Sequence, residues 1–236
     1  MEIKNLTFSF HTYGGVVKSV RDVSFNVREG EILGIVGESG CGKSVTSQCI
    51  LKLNPEPPGF FEGGSIKYKG EEIITKTDRE MRKIRGVEIG FIFQGFNLIA
   101  NLNAIENVEL PLIYRGIDRK TRHELAIESL KMVGLEKRMD HKPSEMSGGQ
   151  QQRVAIARAI AAQPPVILAD EPTGNLDSAS SKEILAILKK MHKTGRTVIL
   201  ITHDNGIAAQ ARRVVRIMDG KIESDTINPD FDQEEA

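Results

Sequence analysis

The chain has 236 residues and a mass of 26.1 kDa, which fits one large domain or one domain with an inserted lobe. Its apolar fraction of 39% is ordinary for a globular protein and excludes a chain that is disordered over most of its length. The 32 basic and 32 acidic side chains cancel, which argues against a protein that binds nucleic acid through bulk positive charge.

Short β-branched segments alternate along the chain with helical patterns, which predicts an α/β fold. The first two strands alternate in hydrophobicity around a Gly14-Gly15 turn and are expected to pair antiparallel. A glycine-rich loop then leads into a helix from Lys43 to about Leu53. The predicted strands, in chain order, span residues 2–10, 20–28, 31–36, 65–69, 88–93, 166–169, 197–201 and 214–218.

The region 104–162 contains few β-branched runs and is predicted to be helical, as a lobe inserted into the sheet domain. A later helix carries an apolar stripe at positions i, i+3, i+4 and i+7, formed by Ile184, Leu185, Ile187, Leu188 and Met191. We therefore expect a single domain over 1–224 and an acidic tail over 225–236 that frays. Within that domain, the core is assigned to residues 1–94 and 163–224, and the helical lobe to residues 95–162.

Several patterns are missing from the sequence. The longest apolar runs, such as residues 198–201, are far shorter than the roughly 18 residues of a membrane span. The first five residues lack the basic and apolar regions of a signal peptide, so we expect a cytosolic chain. Cys41 and Cys49 are poorly placed to bridge each other and have no metal-ligand spacing, so we expect free thiols.

Residues 37–44 match the phosphate-binding pattern G-x-x-x-x-G-K-[ST] and lie between a predicted strand and a predicted helix. In this pattern glycines let successive backbone N–H groups approach and cradle the β- and γ-phosphates, and the helix start adds partial positive charge. Lys43 would supply an ammonium group, and the Ser44 hydroxyl would ligate Mg²⁺. A glycine-rich turn that merely joins strand to helix would not require this lysine and serine. The sequence therefore predicts a nucleoside triphosphate site formed by Gly37, Glu38, Ser39, Gly40, Cys41, Gly42, Lys43 and Ser44.

A second apolar strand ends in two acids, Asp170 and Glu171. Asp170 fits the residue that holds Mg²⁺ through its water shell, and Glu171 would polarise the water that attacks the γ-phosphate. Acidic residues at the ends of strands are common, and many are simply exposed to solvent without a catalytic role. A phosphate loop upstream favours the catalytic interpretation here. An intact Glu171 favours hydrolysis over a switch that only holds nucleotide.

Residues 147–153, with the sequence SGGQQQR, open a predicted helix and resemble the signature of the ATP-binding cassette (ABC) ATPases. The resemblance covers roughly residues 1–224. It implies a P-loop NTPase of the ABC ATPase fold, with a mixed sheet core, an antiparallel β subdomain and an inserted α-helical lobe. The other family marks follow in the family's order: Gln94 resembles the Q-loop glutamine, residues 175–177 the D-loop with Asp177, and His203 the switch histidine. Phe10 aligns with the aromatic residue that stacks on adenine, and Tyr13 is the alternative.

The resemblance implies that two chains close head to tail around two ATP molecules. Ser147, a natural N-cap, would form with Gly149, Gln150 and the helix start a second anion site for the partner's ATP. His203 would hydrogen-bond the γ-phosphate, and Gln94 would touch Mg²⁺ and report occupancy to a groove that receives an integral membrane permease. The chain would then be an ATPase at the inner face of the cell membrane. Arg153 and Arg158 are expected to be structural salt-bridge partners.

The branch of the family differs along the chain. From Gln94 onward, residues 93–98, 106–111 and 169–177 resemble the lipoprotein-release and macrolide-export type, a group that includes a cell-division ATPase. Before Gln94, three stretches resemble peptide-importer ATPases instead, namely residues 9–17, 34–40 and 80–86. We expect the later part to set the branch, because the docking groove draws on residues around and after Gln94. A regulatory or tethering cassette of the cell-division type and a peptide-importer ATPase remain the alternatives.

Overall fold

The computed structural model describes residues 1–229 and 231, which form two compact units. The first unit contains residues 1–84 and the described residues from Ile199 onward, and the second contains residues 85–198. The first elements are β1 (Glu2–Thr12), β2 (Gly15–Asn26), β3 (Ile32–Val36), α1 (Lys43–Leu51), β4 (Gly59–Tyr68), β5 (Glu71–Glu72) and α2 (Asp78–Lys83). A π-helical turn, Ile84–Glu88, precedes β6 (Ile89–Ile92), α3 (Ala104–Tyr114), α4 (Arg119–Met132), a 3-10 turn at Pro143–Glu145 and α5 (Gly148–Ile160). The last elements are β7 (Val166–Asp170), α6 (Ser178–Lys193), β8 (Thr197–Thr202), α7 (Asn205–Ala208), β9 (Arg213–Met218) and β10 (Lys221–Ile227).

The first unit contains an antiparallel sheet with the strand order β2-β1-β4-β5. β1 and β2 form the hairpin expected from the sequence, with Thr12 opposite Gly15. Phe8 of β1 is fully buried and packs edge-to-face on Phe61 of β4, with ring centroids 4.9 Å apart. Aromatic pairs of this geometry add to the stabilisation from burial. This sheet is the antiparallel β subdomain that the sequence predicts.

The second sheet of this unit has the order β10-β9-β3-β8. β3 pairs parallel with β9, and β10 pairs antiparallel with β9. Every residue of β3 is buried, as expected for a short β-branched strand covered on both faces. The phosphate loop begins where β3 ends, so the buried strand fixes the origin of that loop.

The sequence did not predict β10, and this strand overlaps the tail that was expected to fray. In β10, Asp225 accepts a 2.7 Å hydrogen bond from Nε of Arg213 on β9. Fraying is therefore the wrong prediction for residues 225–227, which pair with β9. β10 was missed because all its residues are exposed or half-buried, so it lacks the apolar pattern of a core strand. The remaining acidic residues of the predicted tail, Asp230, Asp232, Glu234 and Glu235, lie outside the described residues.

The second unit pairs β6 and β7 in parallel, with Ile89 opposite Val166 and Ile92 opposite Ala169. The carboxyl ends of both strands therefore meet at one edge, where the segments after residues 92 and 170 begin. Helices α3, α4 and α5 pack on one another in the same unit, which confirms the helical prediction for 104–162. The predicted limits of the lobe, 95 and 162, stay predictions.

Smaller elements were also missed or misplaced. β4 begins at Gly59, six residues before the predicted strand start, and α2, α7 and the two-residue β5 were not predicted. A signal for α2 was available, because Thr77 and Glu80 form a reciprocal capping box at its start. The expected stripe of the later helix is confirmed for Ile184, Leu185, Leu188 and Met191 of α6, which are buried, while Ile187 is half-buried. Cys41 and Cys49 are both free thiols, as predicted, and both are buried.

Candidate functional site

The phosphate loop of the first unit connects β3 to α1, as the motif requires. Gly42 occupies the N-cap of α1 with a φ of 99°, a left-handed conformation that disfavours other residues. A Cβ on Gly42 would also lie 2.2 Å from the carbonyl oxygen of Ser19, and one on Gly37 would lie 2.1 Å from that of Ile217. Neighbouring backbone therefore approaches the loop so closely that both positions admit only glycine.

Lys43 is the first residue of α1, and its side chain folds back into the phosphate loop. It is 3% exposed, and its Nζ donates hydrogen bonds to the carbonyl oxygens of Gly37 at 2.8 Å and Glu38 at 2.7 Å. Ser44 follows in the first turn of α1, where the helix N–H groups carry partial positive charge. Glu38, Ser39 and Gly40 form the exposed tip of the loop. The buried ammonium group of Lys43 and the start of α1 thus face the same phosphate loop, an arrangement that suits binding of a polyphosphate.

The two candidates for adenine stacking lie near the end of β1 and in the turn that follows it. Phe10 lies on β1, opposite Val17 of β2 and Gly59 of β4, and its ring is half-buried. Tyr13 lies in the hairpin turn and is fully exposed. Phe10 is therefore held by strand pairing on both sides, whereas Tyr13 lies in an exposed turn.

His203 follows β8 in a turn that is fixed on both sides. The backbone N–H of Asp204 donates to Oγ1 of Thr202 at 3.0 Å, and Oδ1 of Asp204 accepts from the N–H of Gly206 at 2.7 Å. Asp204 thereby caps α7. The sequence analysis missed Asp204, although aspartate before a short helix is a common cap signal. The exposed His203 is thus carried on a defined turn rather than on a long loop.

The second unit brings three predicted residues to the shared edge of β6 and β7. Asp170 ends β7 and is 6% exposed, while Glu171 follows with a φ of 46°, in the left-handed region. A Cβ on Gly174 would lie 2.9 Å from Nε2 of Gln94 and 3.2 Å from Oε2 of Glu171. The Gln94 amide and the Glu171 carboxylate therefore converge on Gly174. Nδ2 of Asn175 donates to the carbonyl oxygen of Gln94 at 3.2 Å and links the same two segments.

The predicted signature residues lie at the start of α5. Ser147 is the N-cap, as predicted: its Oγ accepts from the N–H of Gln150 at 3.3 Å, and Oε1 of Gln150 accepts from the N–H of Ser147 at 3.0 Å. This reciprocal capping box leaves the first turn of α5 as an ordered helix start.

The start of α6 lies against this first turn. A Cβ on Gly149 would lie 2.5 Å from Oγ of Ser180, which itself donates to Oδ2 of Asp177 at 2.8 Å. Asp177 is the N-cap of α6, and hydrogen bonds from the N–H and the hydroxyl of Ser180 hold its pKa below the usual range. The signature and the D-loop residue are therefore brought together through Ser180, which the sequence analysis did not single out.

The two arginines of α5 have different partners. Nη1 of Arg153 lies 3.1 Å from Oε2 of Glu183 on α6, which confirms the predicted salt bridge. Arg158 instead donates to the carbonyl oxygens of Asn97 at 2.7 Å and Phe96 at 3.1 Å, so a salt-bridge role is the wrong prediction for it. Burial lowers the pKa of Arg158. Arg158 thereby anchors the segment that follows Gln94 to α5.

Asn107 of α3 is a further residue that the sequence analysis missed. It is fully buried and accepts from the N–H of Ile99 at 2.8 Å. Its Nδ2 donates to the carbonyl oxygens of Ile99, Leu102 and Asn103 at 3.2, 3.1 and 2.9 Å. The segment from Gln94 to α3 has no helix or strand, yet Asn107 and Arg158 hold its backbone in place. A buried Asn inside an apolar helix pattern was the available signal.

Comparison with known proteins agrees with these features. The ABC transporter family model matches residues 20–174. The macrolide export ATP-binding/permease protein MacB of Hyphomonas neptunium is 43% identical over all of this chain, which spans 36% of that protein. The oligopeptide transport ATP-binding protein OppD of Bacillus subtilis is 43% identical over 98% of this chain and 67% of its own length. Both branches seen in the sequence are thus among its relatives, and the chain spans about a third of the macrolide-export relative.

A solved structure agrees over almost the whole chain. The ATP-binding cassette MJ0796 of Methanocaldococcus jannaschii, in a dimeric post-hydrolysis state with ADP and phosphate, superposes with a TM-score of 0.87. That alignment is 40% identical and covers 96% of this chain and 98% of the cassette. Among residues 1–229 and 231, no helix is long and apolar enough to cross a membrane. The chain belongs to the ABC transporter family, and it is an ATP-binding cassette with the ATPase fold and activity of that family.

Proposed function

We propose that this cassette hydrolyses ATP to drive a membrane permease, with Glu171 as the group that activates the attacking water. The observation that carries the proposal is the convergence of the Glu171 carboxylate and the Gln94 amide on Gly174, directly after the buried Asp170. A carboxylate held beside an amide can accept a proton from water while the amide orients it.

Binding of ATP is assigned to the phosphate loop and Phe10. The ammonium group of Lys43 and the N–H groups at the start of α1 would hold the phosphates, and the Phe10 ring would stack on adenine. His203, on its fixed turn, would donate a hydrogen bond to the γ-phosphate. These roles follow the order of the family marks and suit the geometry of each residue within its unit.

Mg²⁺ is a hard cation that prefers oxygen ligands and takes few of them from a protein. The buried Asp170 carboxylate, the Ser44 hydroxyl in the first turn of α1 and the Gln94 amide oxygen are oxygen donors of the required kind. When bound, Mg²⁺ would neutralise charge on the phosphate oxygens.

The start of α5 supports a head-to-tail dimer. Ser147, Gly149 and Gln150 form a capped helix start, and the solved relative MJ0796 is dimeric. We infer that this surface binds the γ-phosphate of the ATP held by a second copy, so that two chains enclose two ATP molecules. Asp177, at the adjoining start of α6, would lie at the same interface.

The permease partner is proposed to be of the macrolide-export type, with the cassette at the inner face of the cell membrane. The resemblance from Gln94 onward and the macrolide-export relative support this branch. A peptide-importer partner is the second candidate, because the oligopeptide relative matches at the same identity of 43%.

A pull-down from membranes with Glu171→Gln in ATP should recover a four-helix permease with a large extracytoplasmic domain. Recovery of a six-helix permease would favour the importer instead.

Hydrolysis is tested with two variants that separate binding from chemistry. Lys43→Ala should lose ATP binding, because the buried ammonium group that faces the loop is removed. Glu171→Gln should bind ATP as tightly as the natural chain but release phosphate at least about a hundredfold more slowly. The assays are fluorescent-nucleotide titration and phosphate release. Unchanged phosphate release by Glu171→Gln would contradict the proposed role of Glu171.

A further inference from the structure

Gln152 of α5 connects the two segments that carry the proposed catalytic groups. The residue is fully buried, and its Nε2 donates to the carbonyl oxygen of Phe93 at 3.2 Å and to that of Pro172 at 2.9 Å. Phe93 directly precedes Gln94, and Pro172 directly follows Glu171. One amide group therefore bridges the backbone beside both residues.

The chemistry of the bridge requires an amide. Two carbonyl oxygens need two N–H donors, and a side-chain NH₂ group supplies both from one atom. The other end of the same amide, Oε1, is buried without a hydrogen-bond partner. Burying an acceptor in this way is unfavourable, and an apolar side chain of the same length would avoid it. Gln152 therefore acts at this position through the two hydrogen bonds that it donates.

The backbone that Gln152 holds is strained. Glu171 has a φ of 46°, an uncommon conformation for a residue with a Cβ, which persists only where its surroundings fix it. On one side, the N–H of Gly174 donates to the carbonyl oxygen of Glu171 at 3.1 Å. On the other side, Gln152 holds the carbonyl of the next residue, Pro172. The direction of the Glu171 carboxylate depends on this turn.

We propose that Gln152 is a positioning residue for ATP hydrolysis. In this role it contacts neither water nor nucleotide. Its amide joins the backbone at Phe93 to the backbone at Pro172. This link sets the distance between the Gln94 amide and the Glu171 carboxylate, which converge on Gly174. This inference rests on the proposed functions of Glu171 and Gln94. Gln152 also connects α5, whose N-cap is Ser147 of the signature, to both segments by direct hydrogen bonds.

The test separates positioning from general stability by comparing turnover with ATP binding. Gln152→Met keeps the length of the side chain but removes both donors. It should lower kcat for ATP about tenfold to a hundredfold, since small displacements of reacting groups have effects of this size. The affinity for ATP should change less than about twofold, because the phosphate loop belongs to the other unit. The matched control is Gln210→Met, at a glutamine after α7 that has no assigned role in ATP binding or hydrolysis; it should keep kcat within about twofold.

Two results would overturn the inference. One is a Gln152→Met variant whose kcat matches that of Gln210→Met. The other is a Gln152→Met variant whose kcat and ATP affinity fall by the same factor. If Gln152→Met does not fold, Gln152→Asn takes its place, because it keeps the NH₂ group on a stem one methylene shorter and cannot span both carbonyls. Gln152→Asn should then show the same selective loss of kcat, and an unchanged kcat decides against positioning.

Glu171→Gln, measured in the same series, distinguishes this inference from the proposed function. A Glu171→Gln variant without turnover, together with an active Gln152→Met variant, removes the inference and leaves the proposed function standing. A Glu171→Gln variant with full turnover removes both. Adding Gln152→Met to Glu171→Gln should lower kcat little further, because both substitutions act on the same hydrolysis step.

Discussion

Replacing Gly149 by alanine tests the packing between the starts of α5 and α6. A Cβ at this position would lie 2.5 Å from Oγ and 2.9 Å from Cβ of Ser180. Both distances are far below van der Waals contact. The second involves an atom attached to the α6 backbone, so rotation of the serine hydroxyl cannot relieve it.

The magnitude follows from two opposing effects. Overpacking of this kind costs about 1–3 kcal/mol, while alanine in place of glycine in a helix regains about 0.5–1 kcal/mol. The midpoints of these two ranges give a net loss in the free energy of unfolding of about 1.2 kcal/mol. For a chain of this length the corresponding decrease in melting temperature is about 2–5 °C.

The assay is urea unfolding of four proteins: the natural chain, Gly149→Ala, Ser180→Gly and the double variant. Ser180→Gly removes both atoms that alanine would meet, so Gly149→Ala should be neutral or stabilising in that background. The expected coupling energy is about 1–3 kcal/mol. If Gly149→Ala destabilises both backgrounds equally, the two helix starts do not pack as described.

Three further predictions concern stability and reactivity. Asn107→Leu keeps the branched shape of the side chain but removes four hydrogen bonds to backbone groups, so urea unfolding should show a loss of about 2–5 kcal/mol in the free energy of unfolding. A loss under about 1 kcal/mol would contradict the role of Asn107 in holding the segment before α3. Burial raises the pKa of the Cys49 thiol, so in a Cys41→Ser background a thiol reagent at pH 8 should react only at the rate of unfolding; rapid labelling of the folded chain is the opposing result. Because hydrogen bonds from Ser180 lower the pKa of Asp177, the ionised cap stabilises the fold above the ordinary carboxyl pKa of about 3.9, and this contribution is lost as the pH falls through the lowered value. The stability difference between the natural chain and Asp177→Asn should therefore shrink in acid, and a difference that stays constant down to pH 2 would refute the cap.

Local motifs accounted for the parts of the site that the sequence predicted. These parts are the phosphate loop, the Ser147 cap and the acids at the end of β7. The residues within each motif lie only a few positions apart, so the spacing within each motif indicated its geometry. The order of the strands was not predicted, and the structure shows that parallel pairing of β6 and β7 brings their carboxyl ends to one edge.

Hydrogen bonds between distant segments accounted for what the sequence could not predict. Gln152 and Phe93 are 59 residues apart, and Arg158 and Phe96 are 62 residues apart. Each of these side chains binds a backbone carbonyl, a group that every residue carries, so no pattern in the sequence identifies the partner. β10 was missed for a different reason, because this edge strand has exposed and half-buried side chains and no apolar periodicity.

The most direct test of the proposed ATP-driven cycle is the oligomeric state of Glu171→Gln, measured by size-exclusion chromatography with light scattering. With ATP and Mg²⁺, the variant should elute as a stable dimer of twice the 26.1 kDa chain mass. With ADP it should be a monomer, and Lys43→Ala should be a monomer with either nucleotide. A Glu171→Gln chain that binds ATP and remains a monomer would contradict the head-to-tail dimer on which the account depends.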